Sequence, residues 1–151
     1  MAGGEASTTE RRGQARKLIE RMLDERRRLL SLLLEVSSRK PNPPDQDLLD
    51  EFSQMLMDYI AAGHFGLYQR IIEGKERRRM VQDIAVKVYS MIEETTRVAL
   101  EFNEKYTPEK TPSPGSFYTD LSSLGESLTT RIEHEDQLIR TIMSGSGSPG
   151  G

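Results

Sequence analysis

Few side chains in this sequence could do chemistry, and they gather in two short stretches. "DYIAAGHFGLYQRI" (residues 58–71) carries Asp58, Tyr59, His64, Phe65 and Tyr68, and "RIEHEDQLI" (131–139) carries Arg131, His134, Glu135 and Asp136. His64 and His134 are the only two histidines. An imidazole beside a carboxylate such as Asp58 or Glu135 could form a pH-sensitive pair, and several carboxylates with histidine could hold a metal. The spacing speaks against the metal. A di-metal site in a helical bundle takes Glu-x-x-His pairs, so that each ion receives an imidazole and bridging carboxylate oxygens. Here the residue three before His64 is Ala61, and three before His134 is Arg131. Two histidines are also too few for a histidine-rich oxygen-carrier site. There is no G-x-S-x-G elbow, no P-loop and no G-x-G-x-x-G after a strand, so no nucleophile or phosphate cradle is identified. With no cysteine, thiolate chemistry and disulfides are excluded, which suits a reducing compartment. The expectation is a protein with no catalytic residue, no metal and no cofactor.

The elements that must position these residues are helices. Apolar residues recur three and four apart over long stretches, broken by short clusters of proline, glycine and polar residues. The pattern predicts helices over about Thr9–Ser38, Asp47–Glu73, Glu76–Tyr106 and Phe117–Met143, separated by "RKPNPPD", "GKE" and "TPEKTPSPGS". Gly74 offers a stop for the second helix, and "GKE" is so short that the third must fold back antiparallel. Helices of similar length, roughly 40–45 Å at 1.5 Å per residue, define an all-α, antiparallel up-down-up-down four-helix bundle. Residues 9–143 form it, between a flexible N-terminus (1–8) and a Gly/Ser tail or linker (144–151). No apolar run reaches the length of a membrane span and no signal peptide is evident, so a cytoplasmic protein is expected.

The seams that face the core contain polar residues. On the first helix the seam passes through Ala15, Ile19, Met22, Arg26, Leu29, Leu33 and Val36. On the third it passes through Val81, Ile84, Val88, Met91, Thr95, Val98 and Phe102, and on the fourth through Phe117, Leu121, Leu124, Leu128, Arg131, Glu135, Leu138 and Ile142. Arg26, Thr95, Arg131 and Glu135 fall at similar heights in an antiparallel bundle, as do Asp58, His64 and Tyr68 of the second helix. They predict a polar layer across the bundle's middle, whose members must pair, hydrate or open to a cleft, because a lone buried charge costs several kcal/mol. The alternative is an ordinary surface pair between Arg131 and Glu135, with Ile132 and Ile139 taking the core contact. Gly63 permits close helix approach.

Charge is unevenly distributed. The chain carries −3 overall, from 21 basic and 24 acidic residues, so a general nucleic-acid binder is excluded. Through Lys40 there are ten Lys/Arg and six Asp/Glu, +4, so the rest carries −7. Asp45, Asp47, Asp50, Glu51 and Asp58 follow with no Lys or Arg through residue 60. Such a strip either attracts a basic partner or is a solvated helix face with carboxylates favourably placed near a helix start. The basic cluster "KERRR" could touch phosphate or form a solvated corner at a helix start, and "RRGQARK" and "DERRR" could suit an acidic partner, but without interleaved aromatics the signal is weak.

"DYIAAGHFGLYQRI" resembles the most recognisable stretch of the Rsd/AlgQ family, bacterial anti-sigma factors that act on the primary sigma factor. "KLIERMLDERRRLL" (17–30) is similar to the family's first helix at Lys17, Leu18, Arg21, Glu25 and Arg26, and "RIEHEDQLI" to its last at Arg131, Glu135, Asp136, Leu138 and Ile139. Met22, Ala61, Gln69 and His134 depart from the family pattern. The resemblance implies a helical regulator that binds the C-terminal, −35-recognising domain of the primary sigma factor and blocks its use by core RNA polymerase. The expected partner is that sigma domain, with no direct nucleic-acid contact and, from the hydropathy, no membrane; the oligomeric state is open, with a monomer favoured. Arg26, Asp58, Tyr59, His64, Phe65, Tyr68, Arg131, Glu135 and Asp136 are the candidate residues for the partner surface or the central polar site, with Phe65 expected to pack. The alternatives are a helical adaptor for another basic partner and a metal-binding bundle protein.

Overall fold

The computed structural model describes residues 4–69, 79–106 and 114–145. The elements in these residues are helical: α1 (Gly4–Ser37), α2 (Gln46–Gly63), α3 (Arg79–Lys105) and α4 (Pro114–Gly145). α2 runs without a break into a π-helical turn, His64–Tyr68. The fold is a four-helix bundle. Backbones approach most closely within the pairs α1/α2 and α3/α4, while α2/α3 and α1/α4 close the ring. That cyclic order of neighbours is the one an up-down-up-down chain produces.

Local chemistry explains the boundaries. α2 starts where Asp45, following two prolines, accepts the Leu48 N–H at 2.8 Å and satisfies one of the orphan donors of the first turn. α4 opens at Pro114, ahead of the expected Phe117, because a proline in the first turn gives up only an N–H that has no helical partner. α1 begins at Gly4, ahead of the expected Thr9, since nothing between them breaks a helix. The expected stop at Gly74, the "GKE" connection, most of the third loop and the end of the tail lie outside the described residues.

Tyr118 on α4 donates to the Asn42 carbonyl at 2.6 Å and so pins the α1–α2 connection onto the bundle. At that end Phe52, Phe102, Tyr106 and Phe117 form an aromatic cluster, with ring centroids 4.9–6.0 Å apart. Each such buried side chain contributes roughly 1.5–3 kcal/mol through burial. The α4 seam runs as its spacing predicts from Phe117 through Leu121, Leu124, Leu128, Arg131 and Glu135 to Leu138, all buried, and its last residue, Ile142, is only partly buried against the core. On α3 the seam is corrected to Val81, Ala85, Val88, Ile92, Thr95, Ala99 and Phe102. Met91 is exposed, and Ile84 and Val98 flank the core. Both sets keep alternating three- and four-residue steps from Val81 to Phe102, so spacing fits either. The observed one turns the small Ala85 and Ala99 inward.

Candidate functional site

Glu135 sits at the waist of the bundle with no exposed surface, and donors from three helices and the π turn converge on it. Its Oε1 accepts from Arg26 Nη2 on α1 at 3.1 Å and from the Tyr59 hydroxyl on α2. Its Oε2 accepts from Arg131 Nε on α4 at 2.8 Å and from the Tyr68 hydroxyl on the π turn at 3.2 Å. Four donors thus meet the lone-pair sites of one ionised carboxylate. Arg26 also gives Nη1 to Asp136 Oδ1 at 2.7 Å, so two guanidinium groups face two carboxylates and the cluster is electrically balanced.

Arg131, 1% exposed, extends the network to α3, where its Nη1 donates to Thr96 Oγ1 at 2.7 Å and more weakly to Thr95 Oγ1 at 3.4 Å. The Thr95 hydroxyl is satisfied in turn by the Ile92 carbonyl at 2.7 Å, which explains why a threonine occupies the α3 seam. The Arg131 guanidinium carbon lies 5.7 Å from the ring centroids of both Tyr59 and Tyr68, within cation–π range. The pair is therefore an i,i+4 pair in the core rather than on the surface, and Ile132 and Ile139 are only partly buried beside it.

Electrostatics keeps these donors protonated. Burial first, then the adjacent Glu135 carboxylate, pushes the phenols of Tyr59 and Tyr68 well above their ordinary value. Burial works against the charge of Arg26, but Tyr59, Asp136 and Glu135 outweigh it, and the guanidinium is held charged more firmly than in water.

Backbone geometry makes room for the ion pair. A Cβ on Gly63 would stand 3.1 Å from both Arg131 Nη2 and Glu135 Oε2, so the bare glycine clears space for charge. Close helix approach occurs at Gly66 instead, where a Cβ would meet the Leu18 carbonyl oxygen at 3.2 Å. The Gln69 N–H, one residue past Tyr68, closes the π turn on the His64 carbonyl. At 3.6 residues per turn, nine residues would leave Tyr59 and Tyr68 roughly 180° apart on an unbroken α-helix. The wider turn brings Tyr68 round to the same carboxylate as Tyr59.

Asp58, His64 and Phe65 do not join this layer. Tyr59 takes the inward position, and its neighbour Asp58, rotated by about 100°, reaches the rim, where Gln54 Nε2 donates to it at 2.9 Å. His64 is exposed and meets Phe65 edge-on at 5.0 Å, so it forms no pair with Asp58 or Glu135. Phe65 is 59% exposed and does not pack in the core as expected. Asp58 and Phe65 instead line an open cleft of about 240 Å³ between α1 and α2, with Leu18, Arg21, Glu25, Ala61, Ala62 and Gly66. One carboxylate oxygen of Glu25, Oε2, is buried with no hydrogen-bond partner. Sequence reasoning did not find Thr96 or the cleft as a unit. Thr96 adjoins the Thr95 that breaks the α3 seam, and Arg21 and Glu25 stand one helical turn apart in the stretch similar to the family's first helix.

Among the described residues no group of three or more His, Asp or Glu side chains could hold a metal ion, and no helix is long and apolar enough to cross a membrane.

Fold and site together define a helical bundle with an ionic joint at its waist and, on its α1/α2 face, an open cleft lined by Asp58, Glu25, Arg21 and apolar residues. The chain belongs to the Rsd/AlgQ family, described as "Regulator of RNA polymerase sigma(70) subunit, Rsd/AlgQ", which matches residues 1–143. It is 33% identical over 144 residues to the "Regulator of sigma D" of Yersinia enterocolitica, covering 89% of this chain and 85% of that one. It is 31% identical over 141 residues to the protein of the same name from Salmonella newport, covering 89% and 86%. No solved structure matches it significantly. The role attached to this family is the regulation of a sigma factor.

Proposed function

We propose that this protein regulates transcription by binding the C-terminal, −35-recognising domain of the primary sigma factor one to one, keeping it from promoter DNA and core polymerase. The observation that carries the reading is the cleft, where a solvent-exposed aromatic, Phe65, stands beside the part-exposed carboxylate of Asp58. Aromatic side chains are enriched where proteins bind one another, and a charge at the rim steers the encounter. The outer face of α2 supports it, because Asp47, Glu51 and Asp58 fall on one side of that helix with no Lys or Arg between residues 41 and 69. The −35-recognising domain is a helix-turn-helix module with a basic DNA-facing surface, and an acidic ridge leading to an apolar anchor competes with phosphate for it. The mechanism is occlusion.

Titration of fluorescently labelled sigma C-terminal domain with this protein should saturate at one to one, weaken as salt rises, and be reversed by a duplex carrying the −35 element. Absence of saturable binding would refute the proposal. Binding that the duplex does not reverse would refute occlusion.

A further inference from the structure

The π turn presents its two faces to two different sites. Inward, Tyr68 borders Glu135, as does Gly63 immediately before the turn, while outward, Phe65 and Gly66 line the cleft. α1 divides in the same way over two consecutive residues, since Glu25 lines the cleft and Arg26 is bonded to Glu135 and Asp136. Both walls of the cleft are thus tied, through Tyr68 and Arg26, to one carboxylate on α4 that lines no part of the cleft itself.

We propose that Tyr68 is a positioning residue for the partner cleft: its hydrogen bond to Glu135 holds the π turn, and with it Phe65, in the orientation that a partner meets. The inference rests on the reading of the cleft as the sigma-binding site. A π turn is a rare insertion in an α-helix and is commonly found at functional sites. It persists only where contacts hold it against relaxation to regular α geometry. The Tyr68 hydroxyl is such a contact, because Tyr68 reaches Glu135 only while the turn is widened. Regular α geometry would swing Tyr68 away from Glu135 and rotate Phe65 with it, since the two residues share the turn.

The test begins with Tyr68→Phe, which removes one oxygen and keeps the ring. Its affinity for purified sigma C-terminal domain should fall by a factor on the order of ten. In a Phe65→Ala background the same substitution should change affinity by less than about twofold, because the residue it orients is gone. Wild-type affinity in Tyr68→Phe, or a full loss that persists without Phe65, would overturn the proposal.

A second readout needs no partner. Hydrogen exchange of the Gln69 amide, which closes the turn, should speed up more in Tyr68→Phe than in Tyr59→Phe, which removes a phenol from the same acceptor but from the straight part of α2. Equal acceleration would contradict a role specific to the turn. If the wild-type chain does not bind the sigma domain, the reading of the cleft fails, while the exchange comparison still decides whether Tyr68 holds the turn. If Tyr68→Phe does not fold, fluorotyrosine-labelled wild-type protein gives the decision. A Tyr68 resonance that moves on saturation with the sigma domain supports the coupling, and one that stays in place overturns it.

Discussion

Two carboxylates of this molecule, Glu135 at the waist on α4 and Asp58 at the cleft on α2, stand in opposite environments. Glu135 has no contact with water and accepts four hydrogen bonds from three helices and the π turn. Asp58 is part-exposed and accepts one, from a side chain on its own helix. The first is bound up with the fold, because each donor around it would be stranded by its loss. The second is left with bonding capacity that the protein does not use. The contrast separates a charge that determines how helices are arranged from a charge available to another molecule.

The largest effect should come from breaking the waist. Glu135→Ala leaves Arg131 buried without a counter-charge and two phenols without an acceptor, and should destabilise the protein by about 3–5 kcal/mol in denaturant unfolding. A loss below about 1 kcal/mol would show that water or rearrangement replaces the carboxylate, and the contrast with Asp58 would collapse.

The phenols give the same comparison a pH dependence. Tyr59 and Tyr68 have folded-state values raised above the ordinary 10.0, by burial and then by Glu135. Above pH 10 the unfolded chain releases these protons while the folded chain retains them. Stability is therefore complete below pH 10 and declines as pH rises toward the folded-state values, by about 1.4 kcal/mol per pH unit for each phenol. Subtracting the Tyr68→Phe curve from the wild-type curve should isolate one such slope, and parallel curves would place Tyr68 in a less buried setting than the one described.

A finer probe is steric. Gly63→Ala puts a methyl group 3.1 Å from Arg131 Nη2 and Glu135 Oε2. It should cost about 1–3 kcal/mol by thermal or chemical unfolding, despite alanine's better helix propensity. A stabilised variant would mean that the ion pair yields without cost.

Much of the waist is legible in the sequence. Arg131 and Glu135 interrupt an otherwise apolar α4 seam at the positions where the structure buries them, and Arg26 and Thr95 interrupt theirs at matching heights. Antiparallel packing of helices of similar length is enough to bring such residues together. The cleft is less legible. Asp58 and Tyr59 are adjacent, and a helical pattern allows either to turn inward, so the packing of α2 against α1 and α3 decides between them. His64 follows Gly63, and only the structure shows that the glycine is the inward residue and the histidine the outward one. The π turn leaves no trace in hydrophobic periodicity, since it adds a single residue to a turn that otherwise reads as α-helix. On α3, spacing admits the larger Ile84 and Val98 as readily as the buried Ala85 and Ala99, because it is silent on how closely the neighbouring helix approaches.

The most direct measurement takes the unfolding free energy and the sigma-domain affinity of one variant, Asp58→Ala, side by side. The account predicts stability within about 0.5 kcal/mol of wild type, as for a surface substitution, together with an affinity at least about tenfold weaker. A loss of about 1–3 kcal/mol in stability with unchanged affinity would place Asp58 among the supports of the fold and contradict the division between joint and cleft.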